Sequence, residues 1–143
     1  MVLLDKFKAS RALELIQEEK VTIQHAVPSM LNLELKDPNF KSFDLSSLRA
    51  GMTGASPCPP DVIRAVREEM GMVLSISYGA TETCTVTITD YDDNLERICQ
   101  TIGKAVAGAE VKIVNDRREK AEFGEVGEIA CRGVDSGGGV GGV

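Results

Sequence analysis

The chain has 143 residues, 43% apolar and 27% charged, with a formal net charge of −6 and an isoelectric point near 4.8. That length suits one hydrophobic core, and no apolar run approaches the roughly 20 residues that cross a bilayer. Lys and Arg are dispersed rather than striped in an acidic chain, so a nucleic-acid partner is excluded, as is a membrane span.

Taken in order, Lys8 to Lys20 has apolar positions at Ala12, Leu13, Leu15 and Ile16, the pattern of an amphipathic helix with Ser10 as its expected cap. Val21 to Val27 reads as a strand stopped by Pro28, and Ser29 to Leu35 as a helix ending before Asp37-Pro38. Leu48 to Thr53 is a second strand, breaking into Gly54-Ala55-Ser56-Pro57. A helix from Asp61 to Met70 turns Val62, Ile63 and Val66 inward, and Gly71 ends it. Val73, Leu74 and Ile76 form a third strand, expected to stop at Tyr78-Gly79 and to empty into a polar loop with Thr81 and Glu82. Thr83 to Thr89 alternates β-branched residues, and Asp90 to Asn94 is a polar loop without the glycine and distal glutamate of an EF-hand. Beyond Gly103 the texture becomes β-rich: a strand at Glu110 to Val114, a charged turn from Asn115 to Lys120, and a strand at Gly127 to Cys131.

This order predicts an α/β fold: a parallel sheet with flanking helices, followed by a β-rich antiparallel segment. Residues 1–100 are expected to form the α/β part, 101–133 the start of a β-rich subdomain, and the Gly-rich 134–143 a disordered tail. Cys58, Cys84, Cys99 and Cys131 lie too far apart in sequence for a zinc motif or a disulfide framework, and His25 is the single histidine. Met1 to Lys6 has neither the basic start nor the apolar stretch of a signal peptide, so a cytoplasmic location is expected.

Chemistry is expected where the third strand ends, because ligands of open α/β sheets bind outside the carboxyl ends of the strands. There Tyr78 can cover a flat ring, Gly79 permits close approach of backbone, and Thr81 and Glu82 offer a hydroxyl and a hard carboxylate. A carboxylate repels a phosphate unless a cation lies between them, which points to Mg²⁺, a metal bound through one or two carboxylates and substrate phosphates. An ordinary turn beside a buried Tyr would read similarly.

Two stretches together are more specific: LRAGMTGASPCPPDVIRAV (residues 48–66) and VLSISYGATE (73–82), flanked by VPSML (27–31), DLSSLR (44–49), TIGKAVAGAEVKIVN (101–115) and GEVGEIACRG (124–133). In order, spacing and flanks they resemble the adenylate-forming, AMP-binding superfamily, and within it the acyl-CoA synthetases (fatty-acid–CoA ligases). The resemblance implies an ATP-dependent ligase that makes an acyl-adenylate (an acyl-AMP) from a carboxylic, expectedly fatty, acid and passes the acyl group to coenzyme A. It further implies that Gly54, Ala55, Ser56, Pro57, Tyr78, Gly79 and Ala80 surround the adenine, that Thr81 bonds the α-phosphate, that Glu82 holds Mg²⁺ and that His25 lies near the acyl pocket. At Ala55 the family often has Gly. The family's phosphate loop, its ribose-gripping aspartate and its catalytic lysine have no counterpart in these residues, so the expectation is a piece of a longer enzyme, inactive alone and homo-oligomeric through its uncovered surfaces. An aryl- or amino-acid-activating relative, or a non-catalytic α/β module, are the competing expectations.

Overall fold

A computed structural model describes residues 1–133 and 141–142. Helix α1 (Ala9–Glu19) turns Ala12, Leu13 and Ile16 inward at helical spacing and ends on Lys20, whose φ of 49° carries its N–H back to the Ile16 carbonyl. The residue that caps its start is Lys8, without a side-chain bond; Ser10 lies one residue inside the helix, so the expected serine cap is not used. Strand β1 is only Ile23–His25. Helix α2 (Pro28–Leu35) opens on a proline, whose missing N–H costs nothing in a first turn. After a single 3₁₀ turn at Phe40–Ser42 come β2 (Ala50–Thr53) and α3 (Pro60–Glu69), with Asp61 in its first turn facing the positive end of the helix dipole.

Strand β3 (Val73–Ala80) completes a parallel trio: β2 pairs with β1 through Ile23↔Ala50 and His25↔Met52, and with β3 through Ala50↔Val73 and Thr53↔Ile76. One face of this sheet, with Met72, Leu74 and Ile76, packs with Leu13, Ile16, Leu31, Val62, Ile63 and Val66 in one core. The other face carries Ile23, His25, Ala50, Met52, Val73, Ser75 and Ser77, none of them buried. All the flanking helices therefore lie on one side. Among the described residues no helix is long and apolar enough to cross a membrane.

From β3 the chain departs from the expected loop. Instead of stopping at Tyr78-Gly79, the strand runs on to Ala80 and folds back as β4 (Cys84–Ile88), antiparallel to it, with Ser77↔Ile88, Tyr78↔Thr87 and Ala80↔Cys84 in register and a bulge between Tyr78 and Gly79. The β-branched run after Glu82 supplies the partner strand, so the polar residues occupy a hairpin turn rather than a loop. Among the elements that escaped the sequence reading are α4 (Leu95–Gln100), capped by Asn94, whose side chain accepts from the Arg97 N–H, and β5 (Lys104–Ala105), antiparallel to β4. The Thr87 hydroxyl donates to the Ile102 carbonyl at 2.6 Å and ties this segment down. The first sheet thus has the order β1-β2-β3-β4-β5 and extends past residue 100, where the α/β part was expected to end.

Strands β6 (Ala109–Val114) and β7 (Glu128–Gly133) form the antiparallel hairpin of the β-rich part, crossed by an Arg132–Glu110 ion pair at 2.7 Å. The expected disordered tail falls mostly outside the described residues; Gly141–Gly142 make a short strand, β8, against β7.

Candidate functional site

The outlets of β2 and β3 are adjacent because the strands are parallel neighbours in register. The Ser77 hydroxyl donates to the Thr53 carbonyl at 3.2 Å, joining the last residue of β2 to the residue before Tyr78. Gly54 follows at once, and a Cβ there would lie 2.6 Å from both the carbonyl oxygen and the hydroxyl of Ser77. Only glycine lets the β2 turn lie this close to β3. Ala55 then takes a φ of 66°, the left-handed region where glycine is at ease. Ala55, Ser56 and Pro57 are exposed.

On the other side of the site, Gly79 sits at the bulge, and any Cβ on it would collide with the Cys84 carbonyl. The sequence reading gave this glycine to a ligand; the hairpin itself already requires it. Thr81 and Glu82 are the two central residues of a turn closed by the Thr83 N–H on the Ala80 carbonyl at 3.1 Å. Both side chains are exposed at the tip, whereas Tyr78 is half-buried. Cys84 follows with a φ of 54°.

The structure therefore seats Gly54 directly against Ser77 at the carboxyl end of the parallel strands, while β3 runs on past this point to the turn that carries Thr81 and Glu82. His25 lies at the same end but on the edge strand β1, with β2 between it and β3, roughly 10 Å from β3 at ordinary strand spacing. It is exposed. Burial, with Cys99 and Asp61 nearby, pushes the thiol of Cys58, just beyond the β2 turn, up to about 11.

Among the described residues no three His, Cys, Asp or Glu side chains converge as a metal site. A single exposed carboxylate beside a hydroxyl nevertheless fits Mg²⁺, which takes most of its ligands from phosphate oxygens and water. The half-buried Tyr78 offers a flat ring beside the small residues Gly79 and Ala80, which suits a purine. Sequence reasoning missed Ser77, which bonds β3 to the end of β2, and Thr83, which bonds within its own turn; the only signal for either is a hydroxyl at a strand end, too common to single out.

A sequence family described as AMP-binding enzyme matches residues 1–139. The putative acyl-CoA synthetase YngI of Bacillus subtilis (strain 168) is 40% identical over 136 residues, 93% of this chain and 25% of YngI. The mitochondrial medium-chain acyl-CoA ligase ACSF2 of Mus musculus is 36% identical over 130 residues, 89% of this chain and 21% of the ligase. Among solved structures, the amide bond synthetase McbA from Marinactinospora thermotolerans superimposes with a TM-score of 0.82 at 33% identity, covering 92% of this chain and 27% of McbA. The chain thus spans about a quarter or less of the length of the curated relatives it matches.

Proposed function

This chain belongs to the AMP-binding enzyme family, and from that premise we propose that the protein activates a carboxylic acid with ATP and transfers the acyl group to coenzyme A. In the first step a carboxylate oxygen attacks the α-phosphorus and pyrophosphate leaves, giving an acyl-adenylate. In the second the coenzyme A thiolate attacks the acyl carbon and AMP leaves. Tyr78 stacks on the adenine, while the backbone of Gly54 to Pro57 and of Gly79-Ala80 lines its edges. The Thr81 hydroxyl donates to an α-phosphate oxygen, and Glu82 is the protein ligand of Mg²⁺. When bound, Mg²⁺ neutralises the charge that builds on the phosphates. The chain's own contribution is positioning and oriented charge.

The observation that supports this reading is the close seating of the β2 turn on β3 at the carboxyl end of parallel strands, with Gly54 against Ser77 and Ser77 bonded to Thr53, where open α/β sheets bind ligands. YngI and ACSF2 support coenzyme A as acceptor. McbA shares the fold with a different chemistry in its name, so the acceptor in this proposal rests on those two sequence relatives. A fatty acid as the acid, with His25 beside it, is the finer part of the proposal. The test is a ¹⁵N NMR titration of this chain with AMP and Mg²⁺. Shifts confined to residues 54–57 and 78–82 are expected, and shifts elsewhere or none at millimolar AMP would overturn the reading.

A further inference from the structure

Between Ala80 and Thr83 run two hydrogen bonds of opposite direction. The Thr83 N–H donates to the Ala80 carbonyl at 3.1 Å, and the Ala80 N–H donates to the Thr83 hydroxyl oxygen at 3.0 Å. The same hydroxyl donates its own proton to the Cys84 carbonyl at 3.4 Å, which leaves a lone pair for Ala80. Thr81 and Glu82 are thus held between two clamped ends. Thr83 is half-buried and stands outside the hydrophobic core.

We propose that Thr83 is a positioning residue: its hydroxyl latches the turn so that Thr81 and Glu82 present a hydroxyl and a carboxylate together to a phosphate and its divalent cation. This deepens the nucleotide reading and rests on it. Thr83 touches neither ligand in this account. An unlatched turn would hold the productive arrangement only part of the time, and apparent affinity falls by that fraction.

Two substitutions separate the latch from mere shape. Thr83→Val keeps the branched side chain and removes the acceptor, whereas Thr83→Ser keeps the hydroxyl. In this chain without ligand, exchange of the Ala80 amide proton should be about tenfold faster in Thr83→Val and close to the parent rate in Thr83→Ser. With ATP and Mn²⁺ as a paramagnetic substitute for Mg²⁺, the amide signals of residues 81–83 should broaden. Half-broadening should need several-fold more Mn²⁺–ATP in Thr83→Val and return to the parent value in Thr83→Ser. Unchanged Ala80 exchange in Thr83→Val would overturn the latch, and faster exchange with equal Mn²⁺–ATP response in all three chains would overturn its positioning role. Either result leaves the nucleotide reading standing. A parent chain with no ATP-dependent broadening at these residues would overturn that reading, and the inference with it.

Discussion

At the scale of single residues, the two small residues of the β2 turn make opposite demands. Gly54 has no room for a Cβ, which would sit 2.6 Å from the Ser77 carbonyl oxygen. Gly54→Ala must therefore push the turn away from β3, and a loss of about 2 kcal/mol is expected, in the range of overpacked sites. Ala55 has the reverse problem, a φ of 66° that an L side chain adopts at a cost. Relieving that cost outweighs the extra chain entropy of glycine, so Ala55→Gly should stabilise the chain by about 0.5–1 kcal/mol. Urea denaturation of the two variants checks both signs, and a stabilised Gly54→Ala would contradict the close approach described above. Glu82 is exposed at the turn tip, so Glu82→Gln should leave the denaturation midpoint unchanged while abolishing the ATP-dependent Mn²⁺ broadening of residues 81–83. Retained broadening in that variant would remove Glu82 from the metal role.

At the scale of elements, the seam between α2 and β1 holds a carboxyl group that the sequence reading passed over. Glu34 is 0% exposed, and both of its oxygens lie 2.8–2.9 Å from the Gln24 side-chain nitrogen. Burial raises its pKa from an ordinary 4.5 to about 7, and the Gln24 bond opposes that only in part. The side-chain oxygen of Gln24 is buried without a partner, and a protonated Glu34 could donate to it. Because the folded value lies above the unfolded one, the folded state holds a proton that the unfolded state releases between pH 4.5 and about 7. The stabilisation is complete below that window and is lost as pH rises through it, by on the order of 3 kcal/mol. Glu34→Gln should remove this slope and leave the chain more stable than its parent at pH 8; equal pH dependence of the urea midpoint in both would show that Glu34 is ionised when folded. The sequence did hold a signal here, since Glu34 follows Pro28 and Leu31 at helical spacing on the inward stripe of α2. Elsewhere the legible elements were those with strong periodicity: α1, α3, the three parallel strands and their order. Short α4 and two-residue β5 have too few residues to show a period, and they are fixed by the Asn94 cap and by Thr87 on Ile102. Of the site, Gly54 to Pro57 and Tyr78 to Glu82 were legible as motifs. The alternating run after Glu82 was legible, but the tight hairpin that carries Thr81 and Glu82 was not, because the extension of β3 to Ala80 is set by its pairing with β4 rather than by local sequence.

At the scale of the molecule, the bare side of the sheet governs what this polypeptide does alone. The proposed site holds one carboxylate, Glu82, and one threonine hydroxyl, Thr81, and the chain spans 25% of YngI. We therefore expect the isolated 143-residue polypeptide to catalyse no acid-dependent exchange of pyrophosphate into ATP; measurable exchange would place the whole machinery within these residues. Self-association follows from the same geometry. Two segments at the margins of this sheet differ in cover, Val21–Val27 around β1 and Thr83–Thr89 around β4. The second is largely closed, with Val86, Thr87 and Thr89 buried, but Ile23 is 53% exposed on an edge strand whose outer side has no partner among the described strands. Beside it the partly exposed Ala50, Met52 and Val73 continue the same face across β2 and β3. An unpaired edge next to an apolar sheet face recruits another chain. The net charge of −6 opposes this, yet charge repulsion is screened beyond roughly 8 Å at physiological ionic strength. Apolar burial gains about 25 cal/mol per Å², so a face of ordinary interface size outweighs the repulsion. We expect a homodimer that joins the β1 edges and covers Ile23, Met52 and Val73. Ile23→Lys should then return it to monomer, because a charge on the edge strand would be buried in the dimer. Sedimentation equilibrium of both chains at micromolar concentration is the measurement, and a monomeric parent would mean that this face stays open in water.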